Sequence, residues 1–187
     1  DTLNGEAGDD TVTSSAGTDT VTMGAGADTY LLAADAHMSG LDSVDAGAGD
    51  DILHFTASLT DSAAGMSTLK NFEILRVDPG AADTLTMTNF TESTFTRFDL
   101  DDTAGNLVTL QNIGTGTLNV RVHDGASNIY TFERTADTTS DSAVISSRAD
   151  NDTTDIADIQ MLDEETITIS GSSAANAIGI DDLIEGI

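Results

Sequence analysis

Two different patterns of apolar and polar residues divide the chain near residue 54. In the first part, one apolar residue between two threonines recurs every nine positions, as in "DTVT" at 10–13 and 19–22. Val and Thr favour strands, so each run predicts a very short strand with one inward side chain. From residue 55 the strand-like segments are longer, and many alternate apolar with polar residues between Gly, Asn or Asp turns. The chain is therefore predicted to be all-β.

The longer segments predict a second, β-rich structural domain over residues 55–170. Their pattern fits either a half-buried antiparallel sheet, as in a β-sandwich, or a broader β-solenoid. One short helix is predicted over 153–162, where Ile156, Ile159 and Met161 or Leu162 fall near one helical face. The predicted strands are 72–77, 83–90, 107–113, 117–124, 128–134, "SAVISS" and "ETITISG".

The first 54 residues are built on a nine-residue repeat with Gly at the fourth place and Asp at the sixth. A half repeat, "DTLN", precedes it, and a five-residue insertion at 32–36 interrupts it. Glycine accepts the positive φ of a tight turn, so each Gly-rich part predicts a turn before its short strand. The repeats are "GEAGDDTVT" (5–13), "SSAGTDTVT" (14–22), "MGAGADTYL" (23–31), "HMSGLDSVD" (37–45) and "AGAGDDILH" (46–54). The in-phase aspartates are Asp1, Asp10, Asp19, Asp28, Asp42 and Asp51.

This pattern resembles the G-G-x-G-x-D-x-U-x nonapeptide of the repeats-in-toxin (RTX) calcium-binding proteins. The resemblance implies a parallel β-roll in which two nonapeptides make one coil, so that Asp10 stacks on Asp28 and Asp1 on Asp19. Calcium would be clamped between successive turns by carboxylates and backbone carbonyls. Because of the insertion, the sequence does not determine whether Asp19 stacks on Asp42 and Asp28 on Asp51. The implied turn glycines are Gly5, Gly8, Gly17, Gly24, Gly26, Gly47 and Gly49; Ser14, Met23, Glu6 and Ser15 depart from the pattern.

Charge supports a bound cation and argues against two classes of partner. Thirty-three acidic residues against six basic ones give a net charge of −27, which repels nucleic acid and anionic membranes. So much negative charge destabilises a compact state unless cations neutralise part of it, and Ca²⁺ is the leading candidate. Cysteine is absent, which rules out disulfides and thiolate metal sites.

The end of the chain predicts a further repeat. "GIDDLIEGI" (179–187) resembles the start of another RTX run with Asp182 in the aspartate place, within a third segment at 171–187. Two related stretches, 71–87 and 163–178, resemble the "x-E-T-L-x-V" strands of RTX-containing bacterial surface-layer (S-layer) and giant surface proteins. Joined directly to Asp1 of a following copy, Asp182 would lie six residues from it instead of nine, so head-to-tail repetition of the module requires three further residues.

Catalytic motifs are missing from the sequence. Neither H-E-x-x-H nor G-x-S-x-G occurs, and a carboxylate pair such as Asp99 with Asp101 is indistinguishable from acidic surface. We therefore expect no enzyme. The expected function is an extracellular, calcium-stabilised structural module of a bacterial surface protein, exported by type I secretion and self-associating into an S-layer or filament. The alternative is an adhesive or glycan-binding module in which the β-roll is a spacer.

Overall fold

The structure is a computed structural model of the 187-residue chain. It describes residues 1–38, 40–56, 63–78, 83–101, 106–122, 129–136, 138–147, 155–161, 164, 166–170 and 178–185.

Within these residues the chain is nearly all parallel β-structure. Short helical turns occur at Asp35–His37 and Met87–Asn89, which are 3-10 turns, and at α1 (Ala63–Met66). No helix of the described part is long and apolar enough to cross a membrane. The strands are β1 (Thr2–Asn4), β2 (Thr11–Thr13), β3 (Thr20–Ala25), β4 (Thr29–Leu32), β5 (Ser43–Ala48), β6 (Ile52–Phe55), β7 (Leu69–Lys70), β8 (Ile74–Val77), β9 (Asp83–Thr86), β10 (Arg97–Leu100), β11 (Leu107–Ile113), β12 (Thr117–Val122), β13 (Ile129–Arg134), β14 (Ser142–Ser147), β15 (Asp155–Met161), β16 (Thr166–Ser170) and β17 (Ile178–Glu185).

Odd and even strands alternate between two faces of a β-solenoid. The even strands, from β2 to β16, form one eight-stranded sheet in sequence order. The odd strands form a four-stranded sheet, β1-β3-β5-β7, followed by a five-stranded sheet, β9-β11-β13-β15-β17. Each coil therefore contributes one strand to each face. The chain turns once between an odd strand and the next even strand, and again between that even strand and the next odd one.

The coil grows along the solenoid. Stacked residues are 18 positions apart in the first coils, 23 apart across the insertion, and 22 to 29 apart beyond it. The nine-residue register stops after residue 54, but the eight-stranded sheet continues from β6 to β8 in parallel register. The broader β-solenoid is therefore the correct alternative, and the antiparallel sheet or β-sandwich is wrong. The domain boundaries at 54 and 170 stay predictions.

The wider coils, from β6 onward, hold an aromatic core. Phe55, Phe72, Phe90, Phe98 and Phe132 are all at most 5% exposed. Neighbouring rings stack edge to face, with centroids 6.3 Å apart for Phe55 and Phe90 and 6.1 Å apart for Phe98 and Phe132. Because each buried aromatic ring removes a large apolar area from water, these few rings stabilise the wide coils substantially.

One local prediction, the helix over 153–162, is wrong. The segment predicted as a helix contains strand β15, in which Ile159 and Met161 are both buried. Because these residues are two positions apart, both side chains lie on the inner face of a strand. The pairing of β15 with β13 and β17 overrides the weak helical pattern. Asp182 lies inside β17, and its assignment as a repeat aspartate stays a prediction. Residues 171–177 and 186–187 of the predicted third segment lie outside the described residues.

Candidate metal centre

The turns between an odd strand and the next even strand form one edge of the solenoid, which we call the Asp10 edge. Three repeat turns stack there, at 5–10, 23–28 and 46–51, because Thr11 pairs with Thr29 and Thr29 with Ile52. The insertion at 32–36 does not disturb this stacking. It is accommodated at the opposite edge, where Ser14 Oγ lies 3.0 Å from His37 Nδ1 in the Asp35–His37 turn.

Glycine is required at this edge because successive turns approach each other closely. Gly26 and Gly49 have φ of 155° and 158°, and a Cβ on them would lie 2.2 Å from Gly8 O and 1.7 Å from Gly26 O. In a parallel column, a Cβ on Gly24 or Gly47 would overlap the carbonyl oxygen of Glu6 or Gly24. Only glycine leaves these carbonyl oxygens room between the turns.

The departures from the glycine pattern are tolerated for separate reasons. Glu6 takes the second glycine place and adopts φ of 70°, the left-handed conformation that its stacked neighbours Gly24 and Gly47 also need. Met23 takes the first glycine place, but it belongs to β3 and is fully buried in the core. Neither substitution therefore breaks the stack of turns.

The repeat aspartates of this edge form a ladder with one oxygen left over on each side chain. Asp10 N–H donates to Asp28 Oδ1 at 2.7 Å, and Asp28 N–H donates to Asp51 Oδ1 at 2.8 Å. Asp28 and Asp51 are fully buried. The Oδ2 atoms of Asp10, Asp28 and Asp51 are also buried and have no hydrogen-bond partner. A buried ionised carboxylate without a partner is strongly unfavourable, so these oxygens need a cation or a proton.

The raised pKa of Asp51 also indicates that this site needs positive charge. Burial raises the pKa of Asp51 to about 6, and the nearby carboxylates of Asp28, Glu73 and Asp50 contribute to the rise, against the lowering effect of the Asp28 N–H. Three acidic neighbours around one buried carboxyl make it hard to ionise unless positive charge enters the site.

The oxygens present fit calcium. Among the described residues, no three His, Cys, Asp or Glu side chains converge on one point, so a cation must be held partly by backbone carbonyls. Calcium accepts six to eight hard oxygen ligands from carboxylates and carbonyls in flexible geometry. At the Asp10 edge, Asp10, Asp28 and Asp51 would supply carboxylate oxygens, and the turns of Gly5, Gly8, Gly24, Gly26, Gly47 and Gly49 would supply carbonyl oxygens.

The opposite edge, which we call the Asp19 edge, stacks its aspartates too. Asp19 N–H donates to Asp42 Oδ1 at 2.8 Å, so the pair left open by the sequence does align, as does Asp28 with Asp51. Asp19 also accepts a hydrogen bond from the Ser15 hydroxyl at 2.8 Å, and Gly17 of the same turn has a positive φ of 129°. The Asp19 edge therefore also stacks repeat aspartates from one coil to the next.

Farther along the Asp10 edge, an arginine of the chain pairs with a buried carboxylate, so that its oxygens are not left without a partner. Arg134 is buried and contacts both carboxylate oxygens of Glu164, at 2.8 and 3.0 Å. Its guanidinium also donates to the backbone carbonyls of Gly114, Gly116 and Ser142. One cation thus binds a carboxylate and three carbonyl oxygens between successive turns. Sequence reasoning missed it because Arg134 and Glu164 are 30 residues apart.

The carboxylate pair Asp99 and Asp101 is not an exposed acid–base pair. Asp99 is fully buried in β10, and three arginines from three adjacent strands surround it. Arg97 Nε donates to Asp99 Oδ1 at 2.7 Å, Arg121 bonds Oδ2, and Arg76 lies 3.6 Å from Oδ2. A carboxylate held this way is inaccessible, which leaves it with a structural role.

Comparison with known proteins agrees with this geometry. The family model of the RTX calcium-binding nonapeptide repeat matches in four copies, over residues 1–30 and 38–57. No curated protein and no solved structure matches the chain. The matched residues carry the stacked turns of both edges, and the β-roll that they form is a structural, non-catalytic fold. Residues 1–30 and 38–57 of this chain are RTX calcium-binding nonapeptide repeats, and they form the first coils of a parallel β-roll.

Proposed function

We propose that this calcium-binding structural module of a secreted protein works at the bacterial cell surface, where it self-associates into an S-layer or filament after type I secretion. Calcium would switch folding: in calcium-poor cytosol the repeat aspartates repel one another, and outside the cell bound calcium neutralises them. RTX proteins typically leave the cell by type I secretion, which suits a chain that folds only after export.

The observation that carries the assembly proposal is the parallel stacking of the coils. Each strand pairs in parallel register with the corresponding strand of the neighbouring coil, on both faces of the solenoid. Parallel stacking of this kind can be extended by further coils, whether they belong to the same chain or to a second copy. A second copy stacked head to tail would continue it as a filament.

The expected energy of the calcium switch is modest for one site and decisive for several. Extracellular calcium modules have dissociation constants of roughly 10⁻⁴ to 10⁻³ M. At free calcium one to ten times that constant, each site stabilises the folded state by ~0.4 to 1.4 kcal/mol. Since domains are stable by only about 5 to 15 kcal/mol, several sites decide whether the repeat coils fold.

The test is a calcium titration of chelator-treated protein, followed by circular dichroism for β-structure and by light scattering for assembly. We expect both signals to rise together in the wild-type chain. Asp10→Asn and Asp28→Asn should shift both transitions to higher calcium, because each removes a carboxylate from the ladder. Glu92→Gln, which removes one negative charge from an exposed side chain, is the matched control and should shift neither.

The two signals separate the parts of the proposal. If β-structure rises with calcium while scattering stays at the monomer value at all concentrations tested, self-association is wrong and the calcium-folded module remains. If neither signal responds to calcium, the switch itself is wrong.

A second candidate, an adhesive or glycan-binding module, is favoured by one groove. A depression of about 400 Å³ lies where the turn at 93–96 meets the turn at 113–117, and half-exposed Phe95 lines it together with Asn112 and Asn119. Aromatic rings beside amide and hydroxyl groups suit a sugar. Specific binding of a glycan by monomeric protein, abolished by Phe95→Ala, would favour this candidate over assembly.

A further inference from the structure

The carboxylate ladder of the Asp10 edge continues one coil beyond the matched repeats. Asp51 N–H donates to Glu73 Oε2 at 3.0 Å, the same contact that links Asp10 to Asp28 and Asp28 to Asp51. Glu73 lies directly before β8, as Asp51 lies directly before β6. It also lies outside the residues that the nonapeptide model matches, 1–30 and 38–57.

The turn that carries Glu73 differs from the three turns before it. Asp45 pairs with Lys70 and Ile52 with Ile74, so the six residues 46–51 are opposed by only the three residues 71–73. Asn71 fixes this short turn with φ of 57° and an amide that donates to Asp45 Oδ1 at 2.7 Å. A glutamate is one methylene longer than an aspartate, and this length lets its carboxylate reach the Asp51 N–H from the shorter turn.

The gap between these two turns holds more negative than positive charge. Asp51 is fully buried and its Oδ2 has no hydrogen-bond partner, while half-buried Glu73 brings a second carboxylate against the same backbone. Lys70, the nearest basic residue in sequence, belongs to β7 before the turn, and none of the salt bridges observed in the described residues joins it to Asp51 or Glu73. A buried carboxylate beside another carboxylate needs a cation.

We propose that Glu73 supplies a carboxylate ligand to a further calcium site between the turn of Asp51 and the turn of Glu73, so that the calcium column extends one coil past the nonapeptide repeats. The site takes a divalent, oxygen-seeking cation through the carboxylates of Glu73 and Asp51. Its place is the first coil of the aromatic-cored part, so the cation bound there joins the calcium-dependent coils to the following ones. The proposal rests on calcium binding by the repeats and is independent of self-association.

The experiment counts calcium ions bound per chain, by isothermal titration calorimetry with Ca²⁺ as the only ligand and by native mass spectrometry of the same samples. Glu73→Gln keeps an acceptor oxygen for the Asp51 N–H but removes the charge, so a purely structural role for Glu73 would survive it. We expect Glu73→Gln to bind one calcium ion fewer than the wild-type chain. The control Glu92→Gln should bind the full number.

A second variant keeps the experiment decisive if Glu73→Gln folds poorly. Glu73→Asp retains the charge and shortens the side chain by one methylene, so we expect calcium at this one site to bind at least about tenfold more weakly, which is ~1.4 kcal/mol. Unchanged calcium number and affinity in both variants would overturn the proposal. Loss of every calcium ion in either variant would also overturn it, because Glu73 would then support the whole roll and not one site.

Discussion

The Asp10 edge carries buried carboxylates in both halves of the solenoid, but the halves neutralise them differently. The narrow coils, β1 to β6, belong to the first 69 residues, which contain twelve acidic residues and no Lys or Arg. The wide coils, β7 to β17, belong to the part that contains all six basic residues. At this edge, Asp10, Asp28 and Asp51 of the narrow coils keep unpaired oxygens, whereas Glu164 of the wide coils is paired with Arg134. Asp99, within strand β10 of the wide coils, is also paired with arginine.

Two aspartates at equivalent places make the contrast measurable. Asp51 and Asp141 each lie directly before an even strand and accept an N–H from the coil below. Burial and acidic neighbours raise the pKa of Asp51 to about 6. The N–H groups of Gly116 and Thr138, the Thr138 hydroxyl and nearby Arg134 hold the pKa of Asp141 below its usual range. The carboxylate at this place before an even strand can therefore be neutralised either by a cation from solution or by an arginine of the same chain.

This difference indicates which coils depend on calcium for their folding. Arg134 binds Glu164 and three turn carbonyls in the way that calcium binds aspartate and turn carbonyls, but it cannot dissociate. Four buried phenylalanines, Phe72, Phe90, Phe98 and Phe132, belong to the wide coils, whereas the narrow coils bury Tyr30 and Phe55. We therefore expect the wide coils to fold without calcium and the narrow coils to depend on it.

The largest expected effect is the loss of the built-in cation. Arg134→Ala should lower the free energy of unfolding of calcium-loaded protein by about 3 to 5 kcal/mol, because it leaves buried Glu164 without a partner. Urea unfolding followed by circular dichroism measures this loss. The double variant Arg134→Ala/Glu164→Ala should recover part of it. A loss below about 1 kcal/mol would mean that the pair behaves like an exposed salt bridge, and the comparison with calcium would fail.

Calcium removal should have a smaller and local effect. Chelation should cost the narrow coils ~0.4 to 1.4 kcal/mol for each site that was occupied. Hydrogen exchange read by mass spectrometry should then show faster exchange for β2 to β6 and little change for β10 to β14. Equal loss of protection in both halves would show that the solenoid unfolds as one cooperative unit, and control by calcium would not be confined to the repeats.

The smallest expected effect is a pH dependence of the calcium-free narrow coils. Because the pKa of Asp51 is raised in the folded state, folding binds a proton there, and its ionisation destabilises the fold fully above about pH 6. This destabilisation should disappear as the pH falls from 6 toward the ordinary aspartate value of about 4. Exchange of β4 and β6 amides in chelator should therefore slow between pH 7 and pH 5, after correction for the intrinsic rate.

Asp51→Asn supplies the control for that measurement. It removes the titrating group, so the corrected protection of the same amides should no longer change with pH over this range. If the wild-type chain and the variant share one pH profile, Asp51 is not the group responsible. In the presence of calcium, protons should compete with the cation, and calcium affinity should fall below about pH 6 in the wild-type chain.

Much of the repeat region was predictable because its chemistry is local. Gly8, Gly26 and Asp28 lie at fixed places in a nine-residue period, and turn, strand and carboxylate follow from that period. The longer strands were predictable from alternation, as for β12 and β13. Their parallel pairing was not, because a strand pattern carries no information about the direction of its neighbour. The strand β15 was mistaken for a helix because its sequence carries a weak helical pattern, and the pairing with β13 and β17 that overrides this pattern is not visible in the sequence.

The sequence alone determined the turn glycines, the repeat aspartates, the need for cations and the all-β class, since each depends on a few adjacent residues or on composition. Only the tertiary structure decided the rest. Stacking of coils brought Glu73 onto the ladder of Asp51, 22 residues away, and Arg134 onto Glu164, 30 residues away. These contacts depend on coil length, and a coil's length is set by the packing of its core and turns against neighbouring coils.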